Sequence, residues 1–267
     1  MATTVSEVAT MDAVITGADP ASYSAASLSG VTVAVSPEFD EKLHASQTAA
    51  LEKAVAALEA AGATVKRGAS LAGVRAGVEG FDEASYRLQG FRDYCKGHGA
   101  EAMGGKTPEE ILAESYYVNV KNFFLEPKGL KGPMVNVTDF EGDERAALEA
   151  KNAEGMASWE AKYAAYFEEH GADVCLLPSL VGTPAPVQED YSEFVPTIMK
   201  HLGAYGAYQN LNGLKVPSLV MPTPGVTIDD VEGGNLPTGV ILFGKGGADK
   251  ALLEIGMALE LALKSAA

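Results

Sequence analysis

Four histidines and two cysteines are the side chains of this sequence that most readily bind metals or support nucleophilic catalysis. They are His44, His98, His170, His201, Cys95 and Cys175. No histidine has a second histidine four residues away and no C-x-x-C occurs, so the spacings typical of zinc sites are missing. We therefore expect no metal, no cofactor and no disulfide framework, and the two distant cysteines favour a reducing compartment.

Paired carboxylates could act as a general acid and base if burial raised the pKa of one of them. The adjacent acidic pairs are Glu109–Glu110, Asp143–Glu144 and Glu168–Glu169. Each pair falls at an end or on a polar face of a predicted helix, where nothing nearby promises burial. We interpret all three as solvated surface rather than as catalytic groups.

Motifs for covalent and phosphate chemistry are also missing. The sequence has no G-x-S-x-G and no G-x-x-x-x-G-K-[ST]. The segment Gly244–Gly247 shares only its composition with a phosphate loop, and a glycine turn after a strand is the favoured interpretation. Tyr116, Tyr117, Phe123 and Phe124 could line a pocket, but a helical aromatic cluster more often belongs to a core. No residue is therefore assigned a catalytic role.

The overall charge limits the possible partners. The 267 residues include 20 basic and 36 acidic side chains, which gives a net charge of −16 with histidine neutral. Such a field repels nucleic-acid phosphates and anionic membrane surfaces. Residues 1–30 contain no lysine or arginine, and no run of eighteen apolar residues occurs. We expect a cytoplasmic protein without nucleic-acid or membrane partners.

A strand, a helix and a second strand form the first predicted unit. The β-branched run 31–35 follows Gly30, and Gln47–Ala61 places apolar residues at helical spacing. Gly62 suits the end of that helix, and 63–65 resumes as a strand. Two strands joined by a helix of about 15 residues imply a parallel pair with a right-handed crossover. This pattern is typical of an α/β fold.

The rest of the chain alternates helices, loops and apolar strands. Further helices are predicted at 80–94, 107–124, 143–170, 192–211 and 250–263, and further strands at 173–177, 216–221 and 238–243. The last two strands are continuous apolar runs, which predicts that both of their faces are covered. Segments 126–142 and 222–235 are interpreted as loops or turns because they are rich in proline and glycine. No linker divides the sequence, so we predict one α/β domain over residues 1–267.

Several segments resemble motifs of the amidase signature family in order and spacing. Residues 173–179 and 183–186 are similar to its D-hydrophobic-P-T-x-P-A-P strand and loop, and 210–218 to its N-L-x-G-x-P-[AS] segment. Residues 236–244 are similar to its L-P-x-G strand, and the helix around 252–260 agrees. The resemblance implies the carboxyl-terminal part of the amidase signature fold, a mixed sheet flanked by helices. It also implies a relation to hydrolases of carboxamides, in the style of indoleacetamide and mandelamide hydrolases.

The catalytic segment that the resemblance implies is not found in this sequence. The family uses a serine nucleophile, a second serine and a lysine base from a Gly/Ser-rich core, and no G-G-S-S-G-like run occurs here. The only Ser-Gly is Ser29-Gly30, and residues 1–8 resemble the family's helix that follows the catalytic region. We therefore expect a chain that starts where the catalytic part ends.

Four residues remain as candidates for the rim of a substrate pocket: Pro178, Ser179, Asn210 and Gly213. Sites in α/β sheets gather at strand ends, and these residues follow predicted strands or precede them. Packing and turn formation are the competing explanation, because prolines punctuate strand ends and Gly213 and Gly239 allow close approach or positive φ.

Three hypotheses follow for function. In the first, the chain is the later half of an amidase-signature hydrolase, supplying scaffold and pocket wall for a small-molecule amide while another segment supplies catalysis. In the second, it is a non-catalytic α/β binding or interaction protein derived from a truncated amidase. In the third, Ser179 or Ser218 acts as the nucleophile of an intact serine hydrolase, which is disfavoured because no base is predicted nearby. A homo-oligomer or a partner subunit is compatible with the first two.

Overall fold

The computed structural model describes residues 2–37, 43–75, 142–184, 216–229 and 234–265, with isolated positions between 93 and 114. The chain divides into two compact units. The first contains Met1–Ala76, Glu160–Pro186 and Met199–Ala267, and the second contains Gly77–Trp159 and Val187–Ile198. The predicted helices 80–94, 107–124 and 192–211 and the loop 126–142 lie wholly or largely outside the described residues.

The described helices are α1 (Val5–Thr16), α2 (Ala45–Ala60), α3 (Ala72–Arg75), α4 (Gly142–His170) and α5 (Asp249–Ser265), with a 3₁₀ turn at Pro20–Ser22. The strands are β1 (Thr32–Val35), β2 (Thr64–Arg67), β3 (Val174–Pro178), β4 (Ser218–Ile228) and β5 (Leu236–Gly244). These bounds confirm the strand–helix–strand unit, the long helix before β3 and the closing helix.

The five strands form one mixed sheet in the order β2-β1-β3-β5-β4. β1 pairs in parallel with β2 and with β3, so the first three strands share one direction. β5 runs antiparallel to both β3 and β4. The mixed α/β sheet flanked by helices confirms the predicted fold class.

Helices cover the two faces of the sheet differently. One face packs against α1, α2 and α5, which bury Val33, Val35, Val174, Leu176, Met221, Val240 and Leu242. On the other face, the Tyr166 hydroxyl of α4 donates to the Ala69 carbonyl and lies 3.4 Å from Cys175 Sγ of β3. Alternating side chains of one strand therefore enter two separate hydrophobic layers.

Local sequence explains where α1 begins and ends. The Thr4 side chain accepts a hydrogen bond from the Glu7 N–H at 3.2 Å, and the Glu7 carboxylate accepts from the Thr4 N–H in return. This capping box satisfies N–H groups that lack partners within the helix. Gly17 ends the helix with a φ of 73°, a conformation that glycine adopts at little cost.

The last two strands show where the sequence-based prediction is wrong. β5 is covered on both faces as predicted, but β4 alternates exposed and buried side chains, and Val220 is 65% exposed. β4 also continues to Ile228 through Pro222, where a turn is predicted, and its register shifts between Pro222 and Thr227. Among the strands that the structure describes, β4 is the edge of the sheet, and an edge strand tolerates proline because its outward N–H groups have no ladder partner.

In the second unit, the Arg145 guanidinium in α4 connects two carboxylates. It lies 2.7 Å from Asp93 and 2.8 Å from Glu149, one helical turn further along. The hydrogen bonds that Arg145 donates to Asp93 and then to Glu149 raise its pKa above the usual range. All three side chains are more than a third exposed, so screening by solvent keeps this contribution small.

Candidate functional site

The carboxyl ends of β1 and β3 lie side by side, because the two strands are parallel neighbours in the sheet. From β1 the chain passes through α2 to β2 on one side, whereas β3 lies on the opposite side of β1. α2 covers one face of the sheet and α4, which leads into β3, covers the other. The strand order reverses between β1 and β3, and ligands of open α/β sheets bind at the carboxyl ends of the strands at such a switch point.

Two of the predicted rim residues lie at this edge. Pro178 ends β3 as a buried residue, and Ser179 follows it half-buried. The Ser179 N–H donates to the Gly239 carbonyl of β5 at 2.9 Å, which fixes the backbone as it leaves the sheet. The other two predicted residues, Asn210 and Gly213, lie outside the described residues, so their placement stays a prediction.

A buried glutamine connects the elements that surround this edge. Gln47, fully buried in the first turn of α2, accepts a hydrogen bond from the Thr238 hydroxyl of β5 at 2.6 Å. Its amide nitrogen donates to the Gly182 carbonyl, in the loop after β3, at 3.2 Å. The His44 N–H donates to the Val181 carbonyl of the same loop at 2.8 Å. We call Gln47, Thr238 and Gly182 the glutamine clamp, which holds residues 179–184 against the sheet.

Sequence reasoning did not identify the clamp, although one signal was present. Gln47 is followed by Leu51, Val55 and Leu58 at helical spacing, so it falls on the apolar face of the predicted helix. A polar side chain on such a face is buried, and a buried amide requires partners. The identity of those partners depended on contacts 135 and 191 positions away in the chain.

Another hydroxyl at this edge is that of Ser36, which directly follows β1. Ser36 is 1% exposed, and its Oγ makes no hydrogen bond to any residue of the described part of the chain. Buried hydroxyls usually have a partner. The carboxyl edge of β1 and β3 is therefore bordered by Ser36, Ser179 and the clamp, which are all neutral polar groups.

The clamp side chains are buried and bond to each other, so the half-buried Ser179 carries the one of these side chains that a ligand can reach, and none of them can activate a nucleophile. Lys53 and Lys66 donate to the backbone carbonyls of Pro224 and His170 at 2.7 Å, and Lys245 lies 3.6 Å from Asp173. Among the residues that the structure describes, no serine is paired with a lysine. Nor do three histidine, cysteine or acidic side chains come together there as a metal site would require.

A cavity of about 670 Å³ lies beside α4 at the other end of β3. Its lining includes Tyr163, Phe167, Val216 and the turn Lys245–Gly247. Lys245 Nζ lies 5.9 Å from the centre of the Phe167 ring, within the range of a cation–π contact. The Ala248 N–H donates to the Lys245 carbonyl, as expected for a glycine turn after a strand. Neither Pro178 nor Ser179 lines this cavity.

Tyr163 is expected to make the first unit less stable at alkaline pH. Its hydroxyl donates to the Gly244 carbonyl at 2.9 Å, and burial raises the pKa of this phenol well above 10. Above about pH 10 the unfolded chain loses this proton and the folded chain keeps it, so the free energy of unfolding falls as pH rises. Tyr163→Phe is expected to flatten that fall in urea titrations between pH 8 and 11.5. Equal slopes for the two proteins would contradict this assignment.

The mixed sheet and the helices on both faces define an α/β protein, with polar residues at the carboxyl ends of β1 and β3. Comparison with protein families matches the model of the amidase family over residues 1–253. The chain belongs to the amidase family, which confirms the resemblance in the sequence motifs. A search of curated proteins finds no match. None of the described helices is long and apolar enough to cross a membrane.

Solved structures support the same fold. PAM12A is 19% identical with a TM-score of 0.57, covering 89% of this chain and 44% of that one. Allophanate hydrolase from Kluyveromyces lactis is 19% identical with a TM-score of 0.56, covering 90% and 33%. A further amidase is 18% identical with a TM-score of 0.53, covering 97% and 51%. The chain therefore spans between a third and a half of the length of these proteins.

Proposed function

We propose that this chain forms one wall of the substrate pocket of an enzyme that hydrolyses a carboxamide C–N bond. Membership of the amidase family supports the reaction class, and the position of Ser36 and Ser179 directly after β1 and β3 supports the location. The observation that carries the proposal is the glutamine clamp, which holds the loop after β3 beside neutral donors and acceptors. The loop that the clamp holds can present its own donors and acceptors to a carboxamide, which is itself neutral and presents both kinds of hydrogen-bonding atom.

In this proposal the nucleophile and its base come from another stretch of polypeptide. Attack on an amide requires a nucleophile activated by a neighbouring base, and the described residues contain no serine–lysine pair. The second hypothesis, a non-catalytic binding protein, is favoured by that same observation. An amidase segment that carries the serine nucleophile distinguishes the two hypotheses. Turnover after its addition supports the pocket wall, and no turnover supports the binding protein.

The test is ammonia release from a panel of aliphatic and aromatic primary carboxamides. The chain alone is expected to give none and to resist labelling by a fluorophosphonate probe. This chain matches 51% of the solved amidase described above, and the remaining segment of that amidase can be produced as a separate polypeptide. A mixture of this chain with that segment is expected to support turnover. No turnover in any mixture, together with saturable amide binding by the chain, would support the binding protein instead.

Substitutions of the two candidate serines test the third hypothesis in the same mixture. Ser179 contributes its backbone N–H to Gly239, so Ser179→Ala is expected to lower turnover by less than about tenfold. Loss of a true serine nucleophile costs on the order of 10⁶-fold. Ser218→Ala is expected to leave turnover unchanged, since Ser218 is an exposed residue at the start of β4. A loss of several thousand-fold in either variant would assign the nucleophile to this chain.

A further inference from the structure

The outer surface of α1 carries an apolar strip. Val5, Ala9 and Ala13 of this helix are buried in the core, whereas Met11, Val14 and Ile15 are 54%, 74% and 80% exposed. Val8 is half-buried and lies one turn before Met11 on the same side. Single exposed apolar residues are ordinary, but four on one side of a helix form a surface that water covers poorly. We call Val8, Met11, Val14 and Ile15 the α1 strip.

The open edge of β4 adjoins this strip. The Gly244 N–H donates to the Pro217 carbonyl, so residues 217, 219 and 221 turn their backbone groups towards β5. The N–H groups of Ser218 and Val220 therefore point to the outer edge, whereas Pro222 has no backbone N–H group. A groove lined by Val8, Val220 and Pro222, among others, joins α1 to this edge. The edge can accept a short strand over its first residues and is blocked beyond them.

We propose that the α1 strip and the β4 edge together bind the remaining part of an amidase fold, carried by other polypeptide. This inference rests on the proposed function and locates the partner on the surface. The solved structures that match 89–97% of this chain contain two to three times its matched length, so their folds include further polypeptide. That polypeptide must cover some surface of the matched part, and the strip and edge are apolar, adjacent and open.

A second copy of this chain fits the surface less well. Each copy carries a net charge of −16, so two copies repel each other. A stable interface between separate proteins involves about 20–30 residues on each side, and the strip with its edge offers far fewer. The surface suits one section of a larger interface that continues over other elements.

The experiment titrates the chain with the uncovered segment of the solved amidase and measures binding, turnover and hydrogen exchange. In the free chain the amides of Ser218 and Val220 are expected to exchange rapidly, and on binding both are expected to become protected. The double variant Met11→Ser with Ile15→Ser is expected to bind at least tenfold more weakly. Leu261→Ser is the matched control, because Leu261 is an apolar residue of α5 that is 56% exposed. Both variants should keep the melting temperature of the parent chain, since the substituted positions are exposed.

The possible outcomes separate this proposal from the proposed function. Loss of binding in the double variant alone, with protection of the two β4 amides, supports both. Binding and turnover that are equal in all variants overturn the docking surface and leave the proposed function standing. Self-association of the chain that the α1 substitutions abolish also overturns it, in favour of a second copy. If the segment neither binds nor restores turnover, both proposals fail.

Discussion

Gly239→Ala is expected to lower the free energy of unfolding by about 3 kcal/mol or more, because β4 and β5 approach too closely for any side chain. A Cβ at position 239 would lie 2.0 Å from the carbonyl oxygen of Met221 and 2.9 Å from its carbonyl carbon. Both are backbone atoms of the paired strand, so no side-chain rotation relieves the overlap. The strands must separate at this point, or the register must shift further along β4.

The change reaches the candidate site as well. The Gly239 carbonyl accepts the hydrogen bond from the Ser179 N–H, so a displaced β5 releases the backbone at the end of β3. Thermal unfolding should show a melting temperature roughly 6–12 °C lower for a domain of this size. Gly246→Ala is the matched control, since nothing lies within 4 Å of its Cβ position and its φ is not positive. Equal melting temperatures for the two variants would contradict the close approach.

Gly239 also shows which features of the fold can be predicted from the sequence and which cannot. A glycine inside an apolar run indicates either a positive φ or a close approach, and both explanations were open from the sequence. The structure selects the close approach, because the competing atom belongs to a strand 18 positions earlier in the chain. Pairing of distant strands decides such a question, and local composition contains no information about it.

The type of each helix or strand was easier to predict than where it ends and where it lies in the sheet. β1, α2, α4 and α5 follow from apolar spacing, and each lies where the sequence indicates. The turn predicted from Pro222 onwards is wrong because proline excludes only a central strand, and β4 lies at the edge. Nothing in the apolar run 216–221 shows which strand is the outermost. That position depends on the order of all five strands.

The sequence predicted the part of the candidate site that follows β3, but not the part that α2 and β5 contribute. Pro178 and Ser179 were recognised because they follow a strand and match a family motif, and the structure places them at the switch point. Thr238 was not recognised because it is an ordinary residue of an apolar strand, and the place of Gln47 on the apolar face of its helix indicates burial but not its partners. Their roles arise from the contact between α2 and β5, and the rim depends on that contact as much as on the motif.

Gln47→Leu is expected to destabilise the chain by about 2–4 kcal/mol although it keeps the side-chain volume. The Thr238 hydroxyl loses its partner in a buried position, and the Gly182 carbonyl loses its donor. Thr238→Val combined with Gln47→Leu should cost less than the sum of the two single changes, because the second substitution removes a group already left without a partner. Urea unfolding of the four proteins measures this coupling. Strict additivity would show that the hydrogen bond between Thr238 and Gln47 contributes nothing.

Gln47→Glu separates the hydrogen bonds of the clamp from its packing, because the two side chains have nearly the same shape. A protonated glutamate can donate to the Gly182 carbonyl as the amide does, whereas an ionised one faces that carbonyl with a negative charge in a buried position. The folded state therefore raises the pKa of the new carboxyl, and stability falls as pH rises above about 4.3, the usual value for glutamate. Parent and variant should unfold at similar urea concentrations near pH 4 and at clearly different ones at pH 7. A difference that does not change with pH would mean that Gln47 acts by filling space, and the loop after β3 would then need another explanation for its position.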